Sequence, residues 1–274
     1  MTEAPPDDRI LHELEGGILR ITINRPEVKN ALGPDERLQI VDLLNDASSD
    51  LSTRAIVLHG AGGAFCSGAD LRGSRPAPAR PDGAPEIAQG DIGRGIRVYA
   101  QNLIGAVMDC EKPVIAAVSG VAAGLGAHLA FACDLIVAAS DARFIEVFVR
   151  RGLVPDAGGA YLLPRMIGPH RAKQLLFFGD DVSADDARDL GIVNTVVPAA
   201  QLMSTALAWA ARLAAGPTRA LALSKALVNR SLDVDRATAF EMEAWAQDMN
   251  MTTHDGNEGV NSFKERRPTA FKGW

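Results

Sequence analysis

Three glycines fall within seven residues in KPVIAAVSGVAAGLGAHLAFACD (112–134): Gly120, Gly124 and Gly126. Val114 to Val118 is apolar and partly β-branched, bounded by Pro113 and by Ser119–Gly120, so a buried strand is expected. Ala127 to Ala132 reads as a small apolar helix ending near Cys133–Asp134. A strand, a glycine turn and a helix start leave free backbone N–H groups with the positive end of the helix dipole behind them. Such a place binds an anion, or an oxygen that becomes one during a reaction. The glycines would equally serve close packing in a crowded turn, and spacing alone leaves both readings open. A dinucleotide-binding turn competes. Its third glycine would fall at Leu129, and the acid that follows, Asp141, comes earlier than the ~20 residues such a turn expects.

A second glycine-rich turn, GAGGAFCSGADL (60–71), follows a short strand at Ala55 to His59, where His59 reads as a strand-end residue. The chain thus runs strand, glycine turn, helix twice, with too little identity between the copies for a sequence repeat. No Gly-x-Ser-x-Gly elbow is present, which disfavours a serine hydrolase. Cys66, Cys110 and Cys133 have neither metal-ligand spacing nor an even count for a disulfide set, so reduced thiols in a cytoplasmic protein are expected and no metal site is.

Around these stretches stands a chain of 274 residues, 47% hydrophobic and 23% charged. Those are the proportions of a soluble globular protein. No apolar run reaches membrane-spanning length, and the acidic start MTEAPPDDRI lacks the apolar core of a secretory signal. A net charge of −6 argues against nucleic-acid or anionic-membrane partners.

The elements that must position the glycine turns follow from the pattern. Ile10–Leu14 and Ile18–Asn24, separated by Glu15-Gly16-Gly17, give a β-hairpin signal. Pro34, Asp35 and Glu36 suit a helix start, with Leu38, Val41 and Leu44 as its apolar stripe. Residues 72–93, with four prolines, form a long surface segment of the kind that often acts as a lid. A helix is expected over Ile96–Met108, a strand over Leu135–Ala139, and a broken apolar stretch over 144–168. Ser183 and Asp186 have capping-box spacing for a short helix closed by Gly191. A last strand is expected over Ile192–Val197. From Pro198 the chain reads as helical, over about 199–215, 217–229 and 234–250, before a basic, aromatic tail. The expected division is a core of residues 1–197 and a helical C-terminal region, 198–274.

Taken together, NRPEVKNAL (24–32), GAGGAFCSGADL (60–71), KPVIAAVSGVAAGLGAHLAFACDLIVA (112–138), GLVPDAGGAYLLPRMIG (152–168) and EGVNSFKERRPTAFKGW (258–274) resemble the crotonase, or enoyl-CoA hydratase/isomerase, superfamily. The segments span most of the chain. The resemblance implies an α/β fold, a spiral of ββα units with a helical C-terminal region. It also implies a homotrimer or a hexamer built as a dimer of trimers. Coenzyme A enters as part of the thioester substrate, with no permanently bound cofactor. Carried over by position, the N–H groups of Ala69 and Leu125 become an oxyanion hole for the thioester enolate. Ala31, Ala69, Asp70, Leu71 and Gly124 become CoA contacts. Lys264, Phe271 and Lys272 of the tail become further CoA contacts, across a subunit interface or as a solvated basic end.

The two family glutamates are absent: their positions hold His128 and Phe148. Phe148 has no proton to move, which puts two-glutamate water addition in doubt. Glu146 would share a face with Phe148 if the segment were extended, and would point away if it were helical. Asp156 lies near a position where isomerases of the superfamily carry a proton-shuttling acid, and one base suffices to move a double bond. His128 could act as base, acid or water ligand. Cys66 could attack a thioester with His128 as its base, or simply fill space. The expected activity is isomerisation or atypical hydration of an enoyl-CoA. The alternatives are an acyl-CoA hydrolase and a non-catalytic acyl-CoA-binding protein.

Overall fold

The computed structural model describes residues 8–72, 81–85 and 87–274. Strands β1 (Ile10–Glu15) and β2 (Ile18–Ile23) form the expected hairpin, and helix α1 (Pro34–Ser49) leads to β3 (Ala55–Gly60). Next come α2 (Asp91–Gly95), a π-helical turn (Ile96–Gln101) and α3 (Asn102–Asp109). The glycine-rich centre is β4 (Val114–Val118), β5 (Val121–Ala123) and α4 (Leu125–Ala132), followed by β6 (Leu135–Ala139) and β7 (Arg143–Ile145). Helices α5 (Gly159–Ile167) and α6 (Pro169–Phe178) precede β8 (Asp181–Ser183), α7 (Ala184–Asp189) and β9 (Thr195–Val197). The chain ends in α8 (Leu202–Ala214), α9 (Thr218–Arg230), α10 (Arg236–Met251) and α11 (His254–Glu265).

Six strands form one sheet in the order β1-β2-β3-β4-β6-β9, parallel except for the β1–β2 pair; β5, β7 and β8 form a smaller sheet. The central strands are apolar on both faces because both faces are covered. Ile56 and Leu58 of β3, Val114, Ala116 and Val118 of β4, and Ile136 and Ala138 of β6 point into one core with α1, α3 and α4. The alternate residues Ala55, Val57, Ile115, Ala117, Val137 and Ala139 meet α8 on the other side. Helix α8 lies on them through Leu202, Ala206, Ala210 and Ala214. This four-residue stripe of mostly alanine lets helix and sheet approach closely.

Several expectations hold in detail. Ser183 accepts from the N–H of Asp186 and donates to its carboxylate, capping α7 as its spacing predicts. His59, next to last in β3, has its Nε2 2.8 Å from Thr22 Oγ1, a strand-end contact. The last strand is shorter than expected, because Ile192 and Val193 instead close α7 with N–H bonds to Ala187 O. Residues 73–80 and 86 of the segment read as a proline-rich lid lie outside the described residues.

The basic tail is not wholly a tail. His254–Glu265 folds as α11, capped by Thr253, whose hydroxyl accepts from the N–H of Gly256. Glycines at 256 and 259 hid this helix from a propensity reading. The end of the chain then folds back. The buried carboxylate of Asp255 accepts from the N–H groups of Lys272 (2.7 Å) and Gly273 (2.6 Å), and Asp255 N–H donates to Trp274 O (3.0 Å). Trp274 shares a cleft with Leu51, Glu111 and Lys112, at the end of the large sheet where β3 and β4 begin.

Candidate active site

The glycine-rich loops leave the opposite end of that sheet, where β3 and β4 finish, the usual place for a ligand in an open parallel sheet. They are locked together by backbone. Phe65 and Cys66 donate N–H bonds to Val121 O (3.1 Å each), and Ala123 N–H donates to Cys66 O (2.9 Å). Leu32 N–H reaches Gly68 O (2.9 Å) and Asp70 N–H reaches Leu32 O (3.0 Å), so Leu32 brackets Ala69. Glycine is required at two contacts here. A Cβ on Gly126 would sit 2.1 Å from Cys66 O, and one on Gly68 would sit 2.9 Å from Ala123 O and 3.8 Å from Leu125 N. Gly68 also has φ +111° and Gly124 φ +52°, both in the region that favours glycine.

This packing sets the Gly68–Ala69 peptide beside the first residue of α4. Among the described residues, neither the Ala69 N–H nor the Leu125 N–H has a hydrogen-bond acceptor. Gly124 caps α4, held by its N–H to Ile145 O (2.9 Å). The dinucleotide alternative fails on this geometry. β4 does not run into the helix but into β5, which belongs to the second sheet, and Leu129 is fully buried.

All eight residues of α4 are buried, including the polar one. His128 has no solvent exposure, and its Nε2 lies 3.0 and 3.1 Å from the two carboxylate oxygens of Glu146, itself 4% exposed. The Phe148 ring stacks on the imidazole at 5.2 Å between centroids and 12° between planes. The segment after β7 therefore brings both Glu146 and Phe148 to His128. Gly159, the first residue of α5, backs onto the same ring: a Cβ there would lie 2.1 Å from His128 Nε2. His128 Nδ1 is buried without a partner among the described residues.

Asp156 stands three residues before Gly159, and its C=O accepts the Gly159 N–H (3.1 Å). Partial burial raises its carboxyl above the usual carboxylate range, while the charges of His128 and Arg37 pull it down. These three side chains therefore share one electrostatic neighbourhood. Arg37, on α1, is anchored through Nε and Nη2 on Leu32 O (3.1 and 2.7 Å). The residue after Asp156, Ala157, is buried with φ +48°. A non-glycine residue in that region is uncommon and costs of order 1 kcal/mol.

Other sequence candidates resolve differently. Cys66 is enclosed, and desolvation pushes its thiol up to about 12. It stays protonated at neutral pH, so it is a packing residue and not a nucleophile. Asp70 is tied to Arg72 and to the buried Arg25 (3.0 Å), bonds that hold its carboxylate well below the usual range. Arg25 also donates to Ala31 O (2.8 Å), so Ala31 and Asp70 are joined through one guanidinium at the edge of the Ala69 loop. Leu71 is 83% exposed beside them.

Lys264, Phe271 and Lys272 are not brought to this site within one chain. The tail that carries Phe271 and Lys272 ends against Arg54, which precedes β3, while Ala69 follows it. An apolar cleft of about 460 Å³ also lies away from Ala69 and Leu125, where β4 and β6 begin. Its Lys225 is spent on Asp134 (2.9 Å), Val107 O (2.8 Å) and Lys112 O (3.3 Å), which docks α9. Among the described residues no cluster of side chains could hold a metal ion, and no helix is long and apolar enough to cross a membrane.

Comparison with known proteins points the same way as the geometry. A 1,2-epoxyphenylacetyl-CoA isomerase of Escherichia coli is 36% identical over 264 residues, 96% of this chain and 98% of that one. A crotonyl-CoA hydratase of Syntrophomonas wolfei is 34% identical over 267 residues, covering 96% and 98%. The crystal structure of an enoyl-CoA hydratase from Polaromonas superposes with a TM-score of 0.85 at 35% identity, covering 96% of this chain and 99% of that one. The sequence profile of the enoyl-CoA hydratase/isomerase family matches residues 13–274, and the chain is an enzyme of that family, with the crotonase fold.

Proposed function

We propose that this enzyme moves a double bond in an enoyl-CoA. The N–H groups of Ala69 and Leu125 hold the thioester oxygen, and Asp156 carries the proton. For a 3-enoyl thioester, the Asp156 carboxylate takes a proton from C2. The electrons pass into a dienolate whose oxygen rests on the two N–H donors, and Asp156 returns the same proton to C4. One proton moves, one double bond shifts, and nothing is consumed.

The observation that carries this reading is Asp156 itself, a half-buried carboxyl raised by desolvation and within electrostatic reach of His128, which stands on the helix that begins at Leu125. A raised carboxyl is a stronger base, as proton abstraction from carbon requires. The carboxylate beside His128, Glu146, is engaged by that ring, and Phe148 offers no acid. This supports isomerisation over two-carboxylate hydration.

The placement of the tail supports a trimer or hexamer in which Lys264, Phe271 and Lys272 meet the CoA of a neighbouring copy. Turnover of a panel of 2- and 3-enoyl-CoAs by wild type and Asp156→Asn tests the main reading. Loss of roughly 10²–10⁴ in kcat with CoA-thioester binding retained is expected, the usual contribution of a positioned acid or base. Phe148→Ala should keep measurable turnover. Full activity in Asp156→Asn would transfer the role to His128, and a wild type inert on the whole panel would make the protein an acyl-CoA binder.

A further inference from the structure

We infer that the cleft between Lys112 and Trp274, at the opposite end of the large sheet from the glycine-rich loops, is a second binding site, one that takes a small organic carboxylate with an apolar or aromatic body. The inference is independent of the reaction proposed above. It starts from Lys112, which lines the cleft just before Pro113 and β4. The residue is only 5% exposed. Among the described residues its ammonium nevertheless has neither a hydrogen-bond acceptor nor an ion-pair partner.

A buried ammonium without a partner is costly. Burial lowers Lys112 from its ordinary value, and the nearby acids Glu111 and Asp50 only partly offset this. Each nearby acid is already spent elsewhere. Glu111 pairs with Arg219. Asp50 accepts from Ser52 N–H (2.9 Å) and from the hydroxyls of Ser52 and Thr53 (2.7 Å each). Asp255 holds the amides of the returning tail. Among the residues that line the cleft Glu111 is the one acid, set against Lys112 and Arg219. The cleft therefore carries one positive charge in excess, which a monoanion would match.

The walls say what the rest of the ligand is. The cleft holds about 400 Å³, within the range of small-molecule sites. Its hydroxyls mostly turn inward: Ser48 donates to Leu44 O, Thr252 to Met249 O and Thr253 to Asn250 O. Leu51, Ala222, Met249 and the Trp274 ring present apolar surface. The Trp274 wall is built in advance, because the fold-back of the chain end onto Asp255 places it. One ammonium among apolar walls recognises one carboxylate on an apolar body.

The test watches the wall and needs no turnover. The full chain is labelled with 5-fluorotryptophan, and the 19F resonance of Trp274 is assigned among the three tryptophans by its loss in Trp274→Phe. The probe is 3-phenylpropionate, titrated in the presence of saturating acetyl-CoA so that the thioester site is occupied. A saturable shift of the Trp274 resonance is expected. The neutral 3-phenylpropionamide should not reproduce it. Lys112→Met should weaken the binding by about tenfold or more, the usual effect of losing a hydrogen bond to a charged group. No saturable shift below roughly 10 mM probe overturns the inference, including the case in which a second copy covers the cleft in solution. An equal response to the amide overturns it on the wild type alone, even if Lys112→Met does not fold. A folded Lys112→Met protein that binds as wild type does also overturns it. So does a shift seen only without acetyl-CoA, which would place the probe at the thioester site. An equal response to inorganic phosphate would overturn the assignment to an organic acid.

Discussion

Replacing Gly159 by alanine sets two effects of opposite sign against each other. Gly159 is the first residue of α5, where alanine should gain up to about 0.5–1 kcal/mol from helix propensity. Its added Cβ would lie 2.1 Å from His128 Nε2, 2.2 Å from Cε1 and 2.8 Å from Cδ2. Ordinary contact needs roughly 3.5 Å, so the ring must retreat by more than about 1 Å. It cannot do so freely, with Phe148 stacked on one face and no solvent around it. The Glu146 bonds at 3.0 and 3.1 Å would stretch past hydrogen-bonding range. Overpacking costs about 1–3 kcal/mol, and a buried carboxylate left unpaired costs another 1–3 kcal/mol or so. The clash outweighs the propensity, and a net loss of about 1–5 kcal/mol is expected. Urea denaturation measures it. The decisive arm is the double-mutant cycle: in a His128→Ala background the obstruction is gone, and Gly159→Ala should be neutral or slightly stabilising. An equal loss in both backgrounds would refute the argument, because the cost would then not come from the ring.

Three further outcomes are expected. Asp156→Asn should be slightly more stable than wild type at pH 7, by up to about 1 kcal/mol after allowing for partial exposure. The sign follows from the raised carboxyl, which favours its proton in the folded state. Its penalty is present above the folded titration and vanishes below the unfolded one near pH 4, so denaturation curves of the two proteins should converge as pH falls. Cys66, Cys110 and Cys133 are all buried, with Cys66 near 12 and Cys133 pushed higher still by burial. A thiol reagent at pH 8 should therefore label none of them in the native protein and all three in denaturant. Asp255→Ala removes both bonds to the tail amides, so carboxypeptidase should release Trp274 at least tenfold faster, at a stability cost of about 1–3 kcal/mol.

Much of the fold was legible because it is written in local periodicity. The apolar, partly β-branched run Val114–Val118 predicts a buried strand, and the chain covers both of its faces. The glycine turns were legible as turns, and Gly68 and Gly126 show why no side chain fits there. The His128–Glu146 pair was only half legible. Both residues drew attention, but their meeting depends on the register of β5 against β7 and on the turn at Val147–Phe148 after β7, which no local rule fixes. Cys66 drew two readings because it lies three residues before Ala69, and burial against Gly126 decides for packing over nucleophilic attack. Helix α11 was missed because its stability comes from the Thr253 cap and from the returning chain end, both invisible to a propensity sum.

The complete enclosure of α4 has a consequence for how such a catalyst can diverge. With no residue facing water, this helix offers no position where substitutions accumulate harmlessly. A polar newcomer at 128 must find its counterpart at once, and that counterpart lies 18 residues away on another element. The histidine without the glutamate, or the glutamate without the histidine, strands a buried polar group. Any history that passed through single changes therefore crossed a less stable ancestor, and only a protein with stability in reserve could have made the passage.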